Sequence, residues 1–175
     1  MNISSSKGFS LVETMIALGV LTTGVLGTAA VLATGMQNLS SSPADVVVTQ
    51  KAAEAVEAVF SARDSRKLTW TQINNVSAGG IFLNGAQSLK LAGLDGLVNT
   101  GDDTTVETVT FPGIDQTLGT VDDRTTPLSS FTREILIQDV PNENGQLRSI
   151  SVTIKYQNGP TTRSYTLITY ISAYS

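Results

Sequence analysis

Two short acidic segments carry the side chains with the clearest potential for chemistry. Residues 93–103 read GLDGLVNTGDD and residues 113–123 read GIDQTLGTVDD, so the second segment follows the first at an offset of 20 residues. Five of the eleven positions are identical, which indicates an internal duplication or a convergent pair of turns. Carboxylates and loop carbonyls are the oxygen ligands that Ca²⁺ prefers. The candidate calcium ligands are Asp95, Asp102, Asp103, Asp115, Asp122 and Asp123.

The charge of this region leaves two interpretations open. From Leu91 to Asp123 there are seven acidic residues and no lysine or arginine. A bound Ca²⁺ would order such a segment, because concentrated negative charge otherwise repels itself. The spacing is not that of an EF-hand, and Asp, Gly and Thr also serve ordinary turn geometry. The alternatives are a calcium site and two exposed acidic turns that need no cofactor.

The composition excludes several classes of activity. The chain has 175 residues, no cysteine, no histidine and a net charge of −4. Thiol catalysis, a Ser-His dyad, a zinc-thiolate site and disulfides are therefore excluded. The negative net charge leaves no broad basic face, so nucleic-acid binding is not expected. Paired carboxylates can act as general acid and base. Here they lie in glycine-rich loops with no nucleophile or phosphate-binding pattern nearby, so we predict that the protein is not an enzyme.

Glu13 is the other acidic residue in an unusual setting. It lies at the start of an apolar stretch, and the 23 residues from Thr14 to Met36 carry no charge. As a helix this stretch would be about 35 Å long, enough to cross a hydrocarbon core of roughly 30 Å. A carboxylate inside a membrane segment costs roughly 2.5–3.5 kcal/mol and usually has a partner. We therefore expect Glu13 to have a specific function.

The segment KGFSLVE, residues 7–13, resembles the class III signal of type IV prepilins and type II secretion pseudopilins. The resemblance implies cleavage after Gly8 by a prepilin peptidase and N-methylation of the new terminus, Phe9. It implies a single-pass protein of the bacterial inner membrane with a cytoplasmic N-terminus, which is later extracted into a filament. In the family, the glutamate at the position of Glu13 pairs with the amino terminus of a neighbouring subunit. The alternative is a plain signal anchor whose Glu13 lies among the lipid headgroups.

The elements that follow from these patterns divide the chain into four parts. These are a leader peptide (1–8), a transmembrane or filament-core helix (9–36), an amphipathic helix (43–67) and a β-rich head (68–175) that includes the acidic loops 93–123. Ser42-Pro43 suits a helix start, and the sequence leaves open whether the first helix breaks or only kinks there. Apolar residues recur at helical spacing in the third part, at Val48, Ala52, Ala55, Val56, Val59 and Phe60.

The C-terminal third predicts an antiparallel meander. Strands are expected at 131–140, 148–156 and 162–171, the last two joined by a tight turn at Asn158-Gly159. A smaller hairpin is expected between 81–83 and 88–91. The predicted fold class is α+β and pilin-like, with a long N-terminal helix, half transmembrane and half amphipathic, packed on this meander.

The resemblance implies a structural function in a filament, and a third alternative belongs to a different class. The first is a PilV-type minor pilin, assembled into or at the tip of a type IV pilus. The second is a minor pseudopilin of a type II secretion system, in a periplasmic filament. The third is a membrane-anchored calcium-dependent adhesin or binding module. The implied partners are other pilins or pseudopilins, the prepilin peptidase and the inner membrane, and no cofactor other than Ca²⁺ is expected.

Overall fold

The computed structural model describes residues 10–158 and 161–174, without the side chains of residues 37–43 and 158. It divides into two compact units, Met1–Ala44 and Asp45–Ser175. One helix, α1 (Leu11–Asp64), contributes residues to both. The helix is assigned without interruption through Pro43, so there is no second helix start at Ser42. Pro43 has no N–H and therefore cannot donate to the carbonyl four residues earlier.

Hydrogen bonds define both ends of α1. At the start, the hydroxyl of Ser10 accepts the N–H of Glu13 at 3.4 Å. At the end, the N–H of Arg66 bonds to the carbonyl of Arg63, and the N–H of Lys67 bonds to that of Ala62, both at 2.9 Å. This is a Schellman motif, and Arg66 adopts the left-handed conformation that it requires (φ 57°). The helix therefore ends at Asp64, three residues before the predicted boundary.

The second unit contains a four-stranded antiparallel sheet and a separate two-stranded hairpin. The strands are β1 (Gln87–Ser88), β2 (Thr108–Phe111), β3 (Arg124–Pro127), β4 (Thr132–Asp139), β5 (Leu147–Asn158) and β6 (Thr161–Ser172). The large sheet has the order β1-β4-β5-β6, and β2 pairs with β3. Strands β4, β5 and β6 form the predicted meander, with Val152 opposite both Ile135 and Leu167. The residues that follow Asn158 in the predicted turn, 159 and 160, lie outside the described chain.

The core of this unit lies between one face of the sheet and the apolar stripe of α1. Val48, Ala52, Ala55 and Val59 are at most 1% exposed, as are Ile135, Ile150, Val152 and Ile154 of the sheet. Both sets follow the periodicities of the sequence, 3.6 for the helix and 2 for the strands. Burying each Val or Ile contributes about 1.5–3 kcal/mol. The α+β, pilin-like fold class is thereby confirmed: a long N-terminal helix and a C-terminal antiparallel sheet.

The small hairpin predicted between 81–83 and 88–91 is wrong. Gln87 and Ser88 pair instead with Arg133 and Thr132 of β4, at the edge of the large sheet. Further along the same edge, the buried side chain of Asn75 takes the place of a strand. Its amide donates to the carbonyl of Ile135 at 2.7 Å and accepts the N–H of Ile137 at 2.8 Å. These long-range bonds satisfy the backbone of β4, which the local sequence pattern does not reveal.

Candidate functional site

The predicted processing site is only partly described. Gly8 and Phe9 lie outside the described residues. Glu13 lies in the first turn of α1 and is exposed. A carboxylate is favourable there because the first turn carries the positive end of the helix dipole. Among the described residues, no ion pair involves Glu13.

The apolar part of α1 packs against none of the described residues of the first unit. Leu11–Met36 is long and apolar enough to cross a membrane, with a mean hydropathy of 2.0, and none of it is buried. A helix with large apolar side chains on all sides belongs in lipid or among other helices. Polar groups of this stretch are satisfied internally: the hydroxyls of Thr22 and Thr28 donate to carbonyls of the preceding turn, each at 2.9 Å. That arrangement suits a medium without water.

The helix glycines face open space. A Cβ added at Gly19, Gly24, Gly27 or Gly35 would meet nothing within 4 Å. Small residues allow the backbones of neighbouring helices to approach closely. Close packing against helices of other subunits therefore stays a prediction for these positions.

The two acidic repeats adopt the same loop conformation. Two positions have positive φ in both copies: Gly96 (74°) corresponds to Gln116 (55°), and Asn99 (62°) corresponds to Gly119 (92°). Each repeat begins with a glycine against a carboxylate. A Cβ on Gly93 would lie 2.3 Å from the carboxylate of Asp102, and the corresponding distance in the second loop is 2.1 Å. A side chain at the first position of either loop would therefore displace this carboxylate from its hydrogen bonds.

Four of the five identical positions, the three aspartates and the threonine, supply the side chains whose hydrogen bonds close each loop. The first aspartate accepts the N–H two residues later, at 2.7 Å in the first loop and 2.9 Å in the second. The second aspartate accepts the N–H of the first, at 3.2 and 3.4 Å, and the hydroxyl of the repeated threonine, at 2.8 Å in both loops. The third aspartate accepts the N–H of that threonine, at 3.2 and 3.3 Å.

The two loops differ in their surroundings. The first loop is part of the core: Leu97, Val98 and Asn99 are buried, and the side chain of Asn99 exchanges two hydrogen bonds with buried Arg133 at 2.8 and 2.9 Å. The second loop connects β2 to β3 and lies at the surface, with Leu118 62% exposed. The duplicated loop therefore occurs once as a core element and once as an exposed tip.

One hydrogen bond of the first loop is missing from the second. Asp103 Oδ1 accepts the N–H of Gly93 at 3.0 Å. In the second loop, Asp123 Oδ1 is buried and has no hydrogen-bond partner among the described residues. Asp123 Oδ2 keeps its contacts, accepting the N–H groups of Gly119 and Thr120 at 2.6 and 3.3 Å.

The pKa values of these carboxyls follow from the same contacts. The hydroxyl of Thr100 lowers the pKa of Asp102, and the hydroxyl of Thr120 lowers the pKa of Asp122. Burial raises the pKa of Asp103, against the opposing effect of the N–H groups that it accepts and of the charge of Arg133.

These contacts bear on calcium binding. Most carboxylate oxygens of the two loops face N–H or hydroxyl donors, which a cation would have to displace. Within the described residues, no group of three or more acidic or histidine side chains is arranged to hold a metal ion. The oxygens of the six aspartates thus suit the backbone of their own loops better than a shared cation. Calcium binding stays a prediction.

A network of buried charges was not predicted from the sequence. Lys51 of α1 pairs with buried Glu107, and also with Glu54 at 2.7 Å. Arg133, 1% exposed, donates to the side chain of Asn99 and to the carbonyl of Lys90. Apart from the Lys51–Glu54 pair, which lies within one turn of α1, these contacts join residues far apart in the chain. The sequence holds no local signal for them, since a charged residue in a strand pattern is ordinarily placed at the surface.

Comparison with known proteins adds one match. A family described as the prokaryotic N-terminal methylation motif matches residues 3–29. No curated protein and no solved structure matches the chain.

Through the motif at residues 3–29 and the α+β arrangement, the chain is similar to pilin-like proteins of the prepilin type. The motif and the apolar helix also indicate membrane anchoring.

Proposed function

We propose that the protein is a structural subunit of a bacterial filament, most like a PilV-type minor pilin of a type IV pilus. In this proposal the prepilin peptidase cuts after Gly8, Phe9 is methylated, and the helix waits in the inner membrane until assembly. The observation that carries the proposal is an apolar helix that is exposed from Leu11 to Met36. The methylation motif, residues 3–29, includes the first part of this helix. A helix of this kind needs lipid first and other helices later.

Glu13 provides the means of selection in this proposal. Cleavage after Gly8 creates an ammonium on Phe9, four residues before Glu13. Inside the membrane, a carboxylate without a partner is costly, and pairing with the ammonium of a neighbouring subunit removes that cost. The pairing would favour entry of the subunit into a filament over its retention in lipid.

Substitutions at Glu13 test this function. In the native host, Glu13→Gln and Glu13→Val should be inserted and cut normally but should be strongly depleted from purified filaments. Thr22→Val is the matched control, because it removes a polar group from the same helix without removing a charge. Entry of Glu13→Gln into filaments at the wild-type level would contradict the pairing.

A minor pseudopilin of a type II secretion system is the first alternative. Its subunit chemistry would be the same, and the destination of the filament would differ. Deletion of the gene separates the two: loss of surface pili supports the pilus, and periplasmic retention of secreted proteins supports the secretion system.

A membrane-anchored calcium-dependent binding module is the alternative of another class. The observation that favours it is the buried Asp123 Oδ1, which has no donor among the described residues. Calcium that binds only the folded state would stabilise it by about 2.7 kcal/mol at a hundredfold excess over Kd. The full chain in detergent should then melt higher in Ca²⁺ than in Mg²⁺ or chelator, and Asp122→Asn with Asp123→Asn should abolish the difference. Equal shifts from both metals would leave two turns without a cofactor.

A further inference from the structure

The second unit contains a half-open cavity of about 300 Å³ beside the first residues that α1 contributes to it. This volume lies at the lower end of the range for small-molecule sites. One wall is formed by Asp45, Val48 and Thr49 of α1, and the other by Tyr156 of β5 with Arg163 and Tyr165 of β6.

Two side chains of the cavity wall, Tyr156 and Val48, are held in place by their neighbours. Tyr156 is buried and stacks on Phe131, with ring centroids 5.3 Å apart and planes 6° apart. Its hydroxyl donates to Asp45 Oδ1. Val48, 1% exposed, belongs to the core beneath the cavity. This part of the wall therefore needs no further ordering when a ligand binds.

Opposite charges face each other across this cavity, and their pairing leaves hydrogen-bonding groups available for a ligand. Arg163 Nη1 lies 3.6 Å from Asp45 Oδ2, which is longer than a hydrogen bond, and both side chains are about half exposed. A guanidinium has five N–H donors. Among the described residues, the ion pair with Asp45 is the one that Arg163 forms, so donors are left for a ligand. The site therefore offers donors for an anion next to an acceptor for a cation.

The position of Asp45 along the chain indicates where a ligand would come from. Nine residue steps separate Asp45 from Met36, the last residue of the membrane-length segment. Even fully extended, these steps cover at most about 32 Å. If the segment is inserted as the proposed function requires, the cavity is tethered within reach of the lipid headgroups.

We propose that this cavity binds the zwitterionic phosphoethanolamine headgroup of a membrane lipid. The guanidinium of Arg163 would donate to the phosphate, and Asp45 would accept from the primary ammonium. Charge-assisted hydrogen bonds of both kinds are the strong ones. An anionic headgroup that lacks the ammonium would instead meet the carboxylate of Asp45 without compensation. The site would orient the head at the membrane surface before assembly.

The experiment measures lipid binding to the full chain in detergent micelles by native mass spectrometry. The probes are dihexanoyl phosphatidylethanolamine, phosphatidylcholine and phosphatidylglycerol, with free phosphoethanolamine and inorganic phosphate as soluble probes. Phosphatidylethanolamine should bind most tightly. Arg163→Gln should weaken it about tenfold or more, as expected for loss of a charge-assisted contact. The matched control is Arg124→Gln, an exposed arginine of β3 outside the cavity.

The second substitution tests the ammonium contact. Asp45→Asn should reduce the preference for phosphatidylethanolamine over phosphatidylcholine towards one while binding of phosphate-containing lipid persists. Melting curves of each variant exclude unfolding as the cause, and Arg163→Lys, which keeps a cation, should restore part of the binding.

Several outcomes would overturn the proposal: equal loss of binding in Arg124→Gln, no preference for phosphatidylethanolamine, or equally tight binding of free phosphoethanolamine, which would indicate a soluble ligand. The proposal rests on the proposed function only for membrane insertion. Intact lipid binding in a Glu13→Gln chain that fails to assemble would support the site. Failure of Gly8 processing with lipid binding intact would count against the proposed function alone.

Discussion

Asp103 and Asp123 occupy matching positions in the two acidic loops but accept different numbers of hydrogen bonds through their two oxygens. Both oxygens of Asp103 accept backbone N–H groups, at 3.0 and 3.2 Å, and the residue is 8% exposed. Among the described residues, donors reach Asp123 only at Oδ2. An amide in place of the carboxylate puts an N–H₂ group where one oxygen stood. At Asp103 that group must face an N–H donor, and at Asp123 it can take the position of the unpartnered Oδ1.

We therefore predict unequal losses of stability for the same substitution at the two positions. Asp103→Asn should lower the free energy of unfolding by about 1–3 kcal/mol, the cost of an unsatisfied buried group. Asp123→Asn should change it by less than about 0.5 kcal/mol. Urea unfolding of the full chain in detergent measures both, and each variant is the control for the other. Equal destabilisation would contradict the assigned contacts.

The acid response of the loops is set by the pKa shifts. Asp102 and Asp122 have lowered pKa values in the folded state, chiefly through the hydroxyls of Thr100 and Thr120, so they stabilise the fold above the ordinary Asp value of about 3.9. That contribution is lost as the pH falls through their folded pKa values. The raised pKa of Asp103 has the opposite effect on stability. The protonated carboxyl favours the folded state at pH values below the ordinary Asp pKa, and this contribution is lost as the pH rises through the raised pKa of the folded state.

Carboxyl titration by NMR should therefore show Asp103 protonating at a higher pH than Asp102 or Asp122. Thr120→Val should raise the pKa of Asp122, because it removes the hydroxyl donor. Thr117→Val is the control, since that hydroxyl contacts the carbonyl of Asp115. An unchanged Asp122 pKa in Thr120→Val would refute the assigned cause.

At the scale of elements, the sheet depends on a side chain as well as on strand pairing. Strand β1 covers only two residues of β4, and the buried side chain of Asn75 satisfies the next stretch of that edge through Ile135 and Ile137. A single amide thereby replaces part of a neighbouring strand. Buried backbone groups without a partner are costly, so the edge needs this side chain.

Replacing Asn75 by leucine should destabilise the head by about 1–3 kcal/mol or more, because it leaves the carbonyl of Ile135 and the N–H of Ile137 without partners. Gln138→Ala is the control: this side chain of β4 is exposed and makes no hydrogen bond among the described residues, so its loss should cost less than about 0.5 kcal/mol. Thermal melting of the full chain compares the two. Similar melting temperatures would show that Asn75 does not support the edge.

The elements that the sequence predicted are those whose signal is local. The stripe of α1 and the alternation in β4, β5 and β6 repeat within a few residues, and burial of one face follows directly. The hairpin at 81–91 failed because Gln87 and Ser88 have a better partner in β4. The repeat predicted two like loops, and their common hydrogen bonds lie at the identical positions. It did not predict that Arg133 draws only the first loop into the core, because that contact spans 34 residues.

At the scale of the whole molecule, the two units need different environments. Asp45–Ser175 has a core of its own, whereas Leu11–Met36 has none of its residues buried. A chain that exposes such a helix is incomplete by itself. Lipid and then neighbouring helices can cover the same surface in turn, which is the physical basis of the move from membrane to filament that we propose.

Mass spectrometry of the mature protein from its native host tests the central claim most directly. A prepilin-type subunit predicts a protein without residues 1–8 whose new terminus, Phe9, carries a methyl group, and a Gly8→Val chain that stays uncut in the membrane. Recovery of the intact chain, beginning at Met1, from assembled filaments would contradict the account.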